Sequence, residues 1–177
     1  GDILYRDGSG LARLGYGTSG QALVTKGSGQ NPVWESVGSD FTPNFLAYRT
    51  DTFSFNSTTS TMVSFNLEKY DSDNAYNTSN YKFTVPSGEG GKYFLYCMLR
   101  KNNFSGSRFF YQMKRNVSGG GTEELITAEN SYGGDTYVGI FGQTIYPLTA
   151  GDEIWVEVYH NDSGSRELIT DITCCYF

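Results

Sequence analysis

The rhythm of apolar and polar positions changes once along the chain, near residue 38. Residues 1–38 carry short apolar runs, Ile3-Leu4-Tyr5, Leu11 to Leu14 and Ala22-Leu23-Val24, divided by Gly, Ser and Asp. Such runs predict very short strands. A lone chain of this pattern cannot offset the roughly 1–2 kcal/mol per residue that backbone ordering costs. The segment is therefore expected to draw its core from partner chains or to stay disordered. From Phe41 to Phe177 the segments lengthen, grow rich in Tyr, Phe, Val, Ile and Thr, and are divided at regular intervals by Gly/Asn/Ser/Asp clusters. That is the pattern of an all-β sandwich. It predicts strands over 45–50, 61–67, 81–85, 92–101, 108–116, 123–129, 136–148, 153–160 and 168–177. Pro86-Ser87-Gly88, Gly119-Gly120-Gly121 and Ala150-Gly151-Asp152 supply the turns, with Gly where a positive φ is needed.

Several of these strands are apolar on both faces. In "KYFLYCML", Tyr93, Leu95, Cys97 and Leu99 point one way, and Phe94, Tyr96 and Met98 the other. In "EIWVEVY", Trp155 and Tyr159 lie opposite Ile154, Val156 and Val158. A strand with one wet face would alternate with polar residues. A thick core with aromatics at its edges is one explanation. Burial against neighbouring subunits around a rotational axis is the favoured one.

Composition narrows the function classes. A net charge of −6 without a Lys/Arg cluster leaves no electrostatic footprint for nucleic acid. No stretch approaches the ~20 apolar residues of a membrane-spanning helix, so membrane insertion is not expected. The spacing Gly15-x-Gly17-x-x-Gly20 imitates a dinucleotide fingerprint, but Gly27 and Gly29 would end the required helix, and Glu35 arrives too early. Cys97, Cys174 and Cys175 with the single His160 offer no zinc spacing and no disulfide framework. A Ser/His/Asp triad would have to use His160, and Asp162 and Ser163 lie too close to it in sequence. No enzymatic activity and no cofactor are expected.

Phe45-x-Ala47, Tyr70-Asp71, Asn80-Tyr81-Lys82-Phe83, Pro86, Gly91-x-Tyr93-Phe94 and Leu148-x-x-Gly151-Asp152-x-Ile154 resemble the globular head of the complement C1q and tumour necrosis factor-like superfamily, over roughly residues 41–177. The resemblance implies a ten-stranded jelly-roll sandwich that assembles as a homotrimer. The segment "GDILYRDGSGLARLGYGTSGQALVTKGSGQNPVWES" is similar to a pattern of bacteriophage tail fibres, through Gly17-Thr18-x-Gly20-Gln21-x-Leu23 and Pro32-x-Trp34; Tyr16 and Ala22 stand where aliphatic residues are usual. Together these imply a Gly-rich β stem or collar at 1–38 and a head at 39–177. The implied role is host attachment by a virion tail fibre assembled in the host cytoplasm, through a bacterial surface glycan or outer-membrane protein, alongside other tail-fibre or baseplate proteins. A structural virion protein without a receptor, or a secreted ligand of the same fold carrying its Asn-x-Ser/Thr sequons at Asn56, Asn77, Asn103, Asn116 and Asn161, are the alternatives.

In the implied strand order, residues 102–107, 130–135 and 160–167 share the end of the head away from the stem. Aromatic faces that stack on a pyranose and amides that hydrogen-bond its hydroxyls make Asn102, Asn103, Phe104, Ser105, Tyr132, Asp135, Asn161 and Asp162 the candidate receptor-binding residues. Asp135, Asp162 and Glu167 could meet their symmetry mates and bind Ca²⁺ near the axis, although solvated surface carboxylates are the preferred reading.

Overall fold

The computed structural model describes residues 1–36, 43–102, 108–130, 137–173 and 175–177, with the side chains of Asn102 and Tyr137 outside that set. The chain divides into two compact units, Gly1–Phe41 and Thr42–Phe177.

The first unit holds two hairpins. β1 (Ile3–Arg6) pairs with β2 (Leu11–Leu14), and β3 (Gln21–Val24) with β4 (Val33–Ser36). Local ties close them. The Asp7 carboxylate accepts from the backbone N–H groups of Ser9 and Gly10, making the first turn. Asp2 accepts from the N–H of Tyr16 and pairs with Arg13. Trp34 joins the hairpins by donating its indole N–H to the Gly15 carbonyl at 2.6 Å, and its ring covers Gly17 so closely that a Cβ there would lie 2.8 Å from it. Thr18 N–H is held by the Gln21 side chain. No described residue of this unit is buried, as expected of a segment that lacks a core of its own, and the Trp34 ring laid on Gly17 gives its two hairpins a local tie. Leu4, Leu11 and Tyr16 remain exposed.

The second unit is a jelly-roll sandwich built of strands alone among the described residues. In chain order it comprises β5 (Phe45–Tyr48), β6 (Phe53–Phe55), β7 (Thr61–Met62), β8 (Leu67–Asp71), β9 (Tyr76–Asn77), β10 (Lys82–Thr84), β11 (Gly91–Asn102), β12 (Phe109–Asn116), β13 (Thr122–Asn130), β14 (Tyr137–Leu148), β15 (Glu153–His160) and β16 (Arg166–Leu168). One sheet runs β13-β12-β15-β10-β9, with β7 also on β15. The other runs β14-β11-β16-β6, and β5-β8 joins it through residues 175–177. There, Phe177 exchanges backbone bonds with Ala47 of β5, and Tyr176 with Met98 of β11.

The core lies between the sheets, around Phe65, Phe83, Leu99, Phe109, Tyr111 and Ile154. Tyr111 crosses it and donates to the carbonyls of Cys97 and Gly142 in the opposite sheet. Only glycine fits at 142, because a Cβ would sit 2.7 Å from the Tyr111 hydroxyl.

Two predicted strands are broken. In 61–67 the Phe65 N–H bonds to Val63 O, and the chain leaves β15 to become β8 on β5. In 168–177 the Asp171 carboxylate caps Thr173, and the Asp171 carbonyl accepts from Cys175. The chain thus turns after β16 and re-enters the sheet only at Tyr176. In both places a local side-chain or backbone bond competes with the ladder, which apolar content does not reveal.

Candidate functional site

Strand registers put alternate connections at opposite ends of the sandwich. Phe109 faces Asn130 on one side and His160 on the other, and Asn102 faces Tyr137. The strand ends that bound 103–107, 131–136 and 161–165 therefore meet at one end, the loop end. At the other, the base end, Asn116 faces Thr122 and Glu153, and Gly91 faces Leu148. Phe45 and Phe177 touch each other there, with Phe45 stacked on Phe83.

Of the candidate receptor-binding residues, Asn103, Phe104, Ser105, Tyr132 and Asp135 lie outside the described residues, and Asn102 is described in its backbone alone. Asn161 is exposed, and its side-chain oxygen accepts the N–H of Arg108 at 2.8 Å. Asp162 departs from expectation. It is 2% exposed and ion-paired with Lys101, itself fully buried, and with Arg166 at 3.1 Å. Burial alone would raise its pKa, but Lys101 and then Arg166 hold it below the ordinary aspartate value. Both cations lie on Oδ2, and burial of the whole side chain withdraws it from a surface glycan or Ca²⁺. Glu167 is exposed on β16 beside Ser54. Among the described residues no three His, Cys, Asp or Glu side chains converge on a metal position.

His160 is fully buried next to this pair. Its Nδ1 accepts the N–H of Asp162, so Nε2 carries the proton and donates to the Phe55 carbonyl, both at 3.1 Å. The Phe55 ring meets it edge-on at 4.8 Å. Burial, then the nearby Lys101, lower its pKa against the opposing bond to Phe55. The signal that finds this cluster is parity. The inward stripe Leu95, Cys97, Leu99 continues to Lys101, and Ile154, Val156, Val158 continues to His160 and on to Asp162.

Sequence reasoning also missed a surface beside the loop end. Phe110 of β12 and Tyr159 of β15 stack directly across the strands at 4.7 Å. The Arg108 guanidinium lies 4.6 Å above the Phe110 ring, gripped by both oxygens of Glu129.

The two-faced strands resolve in different ways. On β15, Lys82 lies over the Trp155 ring at 5.0 Å, and Lys114 pairs with Glu157 beside it. Trp155 is left 7% exposed; the chain's own side chains cover this face, which corrects the expectation of a neighbouring subunit there. On β11 and β14 the outer face stays open. Phe94, Phe141 and Ile145 are 63%, 66% and 67% exposed, with Phe94 opposite Ile145 and Met98 opposite Phe141. Tyr96 and Tyr176 stack beside them. Around the edge, between β13 and β14, runs an open cleft of about 420 Å³ lined by Ile126, Ala128, Gly139 and Gly142.

Residues 44–174 match the family model of the C1q domain. Among solved structures, the globular domain of a zebrafish complement 1qA protein aligns over 70% of this chain and 89% of its own, with 17% identity and a TM-score of 0.54. Murine APRIL aligns over 75% and 92% with 16% identity and a TM-score of 0.60. The Eiger TNF of S. frugiperda aligns over 75% and 87% with 14% identity and a TM-score of 0.56. No curated protein matches the chain by sequence at a significant level.

Proposed function

The chain belongs to the C1q domain family, and from that premise we propose that it is the trimeric receptor-binding head of a bacteriophage tail fibre, binding a host-surface glycan or outer-membrane protein rather than catalysing a reaction. The observation that carries the assembly is the uncovered face of β11 and β14. Phe94, Phe141 and Ile145 leave roughly 350 Å² of apolar surface in water, worth about 9 kcal/mol at 25 cal/mol per Å² before ordering costs. Its large apolar side chains lie side by side across one strand pair, Phe94 opposite Ile145, and that contiguity makes it the face offered to a neighbouring copy. It is set against the cleft edge of β13 and β14 on the next copy, a head-to-tail contact that closes after three subunits. Phe94→Glu combined with Phe141→Glu should leave the β-sheet circular dichroism intact and turn the trimer into monomers by light scattering. A trimer that survives both charges refutes this face.

The fibre assignment rests on the first unit. Asp2, Gly17, Gln21 and Trp34, which carry the resemblance to tail-fibre segments, are also the residues that hold its hairpins together. Their contacts tie the segment locally, and a short, locally tied module before a trimeric head suits a collar. The loop end, away from Phe45 and Phe177, is the proposed contact surface, with Asn161, Phe104, Tyr132 and Asp135 as its ligand groups; Asp162 is left out because it is buried. Labelled protein offered to a panel of bacteria should bind in a strain-dependent way. The triple variant Phe104→Ala, Tyr132→Ala, Asp135→Ala should lose binding while staying trimeric. Unchanged binding by that variant removes the loop end from the proposal.

A secreted ligand of the same fold is the second reading, favoured by the exposure of the sequon residues Asn56, Asn77 and Asn161. Binding to animal cells but to no bacterium selects it. A head that binds neither, and does not compete with infection, is a structural virion protein.

A further inference from the structure

We propose that His160 is an acid-operated latch on the loop end: a proton on its Nδ1 expels the Asp162 N–H and frees the 161–165 turn while the rest of the sandwich stays folded. Both ring nitrogens are already used in the neutral form. Nδ1 is an acceptor for Asp162 N–H, and Nε2 donates to Phe55 O. A second ring proton can enter only at Nδ1, where it confronts a backbone donor.

The charges around the ring oppose that proton. From β11 comes Lys101, from β16 Arg166, and from the turn Asp162, whose one carboxylate already serves both cations. The 56–60 turn and β6 present only neutral groups, with Thr58 donating to the His160 carbonyl and Ser165 to that of Phe55. Among the described residues an imidazolium here makes a third cation beside one anion, with no water-exposed ring edge to relieve it. Neutral His160 therefore holds the turn, and the cationic form must leave the site to be solvated. Its pKa lies below the ordinary histidine value, so the latch is closed at neutral pH and opens in acid. This does not depend on what the loop end binds; it says that whatever is built on that end changes shape on acidification.

The chain has one histidine, so a single imidazole resonance reports the titration. The test follows that resonance together with amide hydrogen exchange of the intact chain, from about pH 7.5 to about pH 4.5, corrected for intrinsic pH dependence. Protection in 161–165 should fall by about tenfold or more with the same midpoint as the imidazole, while β12 and β15 stay protected. In His160→Asn, whose side-chain oxygen can still accept from Asp162 N–H, the turn should keep one level of protection throughout. The proposal is overturned if the turn opens equally in His160→Asn, or if the imidazole titrates only with global unfolding. Should that variant not fold, the wild-type midpoints decide alone: agreement supports the latch, and a separation of about one pH unit refutes it.

Discussion

Replacing Asp152 by Asn tests how the base end is held. The carboxylate is fully buried and accepts five hydrogen bonds: Nε and Nη2 of Arg115 at 2.9 and 2.6 Å, the backbone N–H of Ser118 at 3.0 Å, and the backbone N–H and hydroxyl of Thr149 at 2.7 and 3.0 Å. It thereby ties the turn at 117–121 to the turn at 149–152. Burial would raise its pKa, but the N–H groups of Thr149 and Ser118 and then Arg115 outweigh burial and hold it at about 2, against 3.8 unperturbed. Because the folded pKa is the lower one, the ionised carboxylate stabilises the fold above pH 3.8, and that stability is lost as the pH falls towards 2. The shift corresponds to about 2.4 kcal/mol at neutral pH. Asn also turns an NH₂ towards donors, which adds about 1–2 kcal/mol. Urea unfolding followed by tryptophan fluorescence, at fixed protein concentration because assembly is linked to stability, should place Asp152→Asn about 3–4 kcal/mol below wild type at neutral pH. The charge-dependent share of the gap should shrink to roughly half near pH 3 and to a few tenths of a kcal/mol near pH 2. A gap equally large at neutral pH and at pH 3, or under about 1 kcal/mol at neutral pH, refutes the assignment of that stability to the ionised carboxylate.

Two further substitutions probe the other locks. Gly17→Ala drives a methyl into the Trp34 ring; limited proteolysis should cut within residues 1–36 while the melting of the head stays where it was. Lys101→Met leaves the buried Asp162 carboxylate with Arg166 as its remaining cation, and should cost about 2–4 kcal/mol in urea unfolding, less than for a buried charge stripped of every partner. Adding Asp162→Asn to that variant should recover part of the loss, and a double variant no more stable than Lys101→Met excludes an uncompensated charge as the cause.

The chain's pattern carries the fold further than it carries the site. Period-two alternation locates the long strands β11, β12, β14 and β15, because a buried ladder demands it and little else competes. It also marks Lys101, His160 and Asp162 as inward, at the ends of the stripes that begin at Tyr93 and Ile154. Residue type argues the opposite, since Lys and Asp at strand ends are usually solvated. The stripe wins because each charge finds its partner on another strand, 61 positions away in the case of Lys101 and Asp162. Cover is a different matter. "KYFLYCML" and "EIWVEVY" are equally two-faced, yet Trp155 is roofed by Lys82 and Tyr159 by Phe110, while Phe94 and Phe141 stay in water. What covers a strand's outer face depends on which strands flank it and in what register, and neither follows from the strand's own residues.

The two ends of the head share a buried aspartate paired with an arginine, Asp152 with Arg115 and Asp162 with Arg166, and differ in their acid responses. Asp152 also accepts from the backbone N–H groups of Ser118 and Thr149, whereas the second partner of the Asp162 carboxylate is Lys101. Only the loop end adds a histidine, whose unfolded pKa of 6.5 lies well above those of the carboxylates and is lowered in the fold. Stability supplied by neutral His160 is therefore complete above pH 6.5 and declines as the pH falls through its lowered value. The base-end clamp keeps its full stabilisation down to about pH 3.8, and its carboxylate stays ionised in the fold until the pH nears 2. Between these windows the base end, next to Phe45 and Phe177, is unaltered while the loop end loosens. Mild acid thus acts on the end proposed to make contact and spares the base end, where Asp152 and Arg115 close the turns.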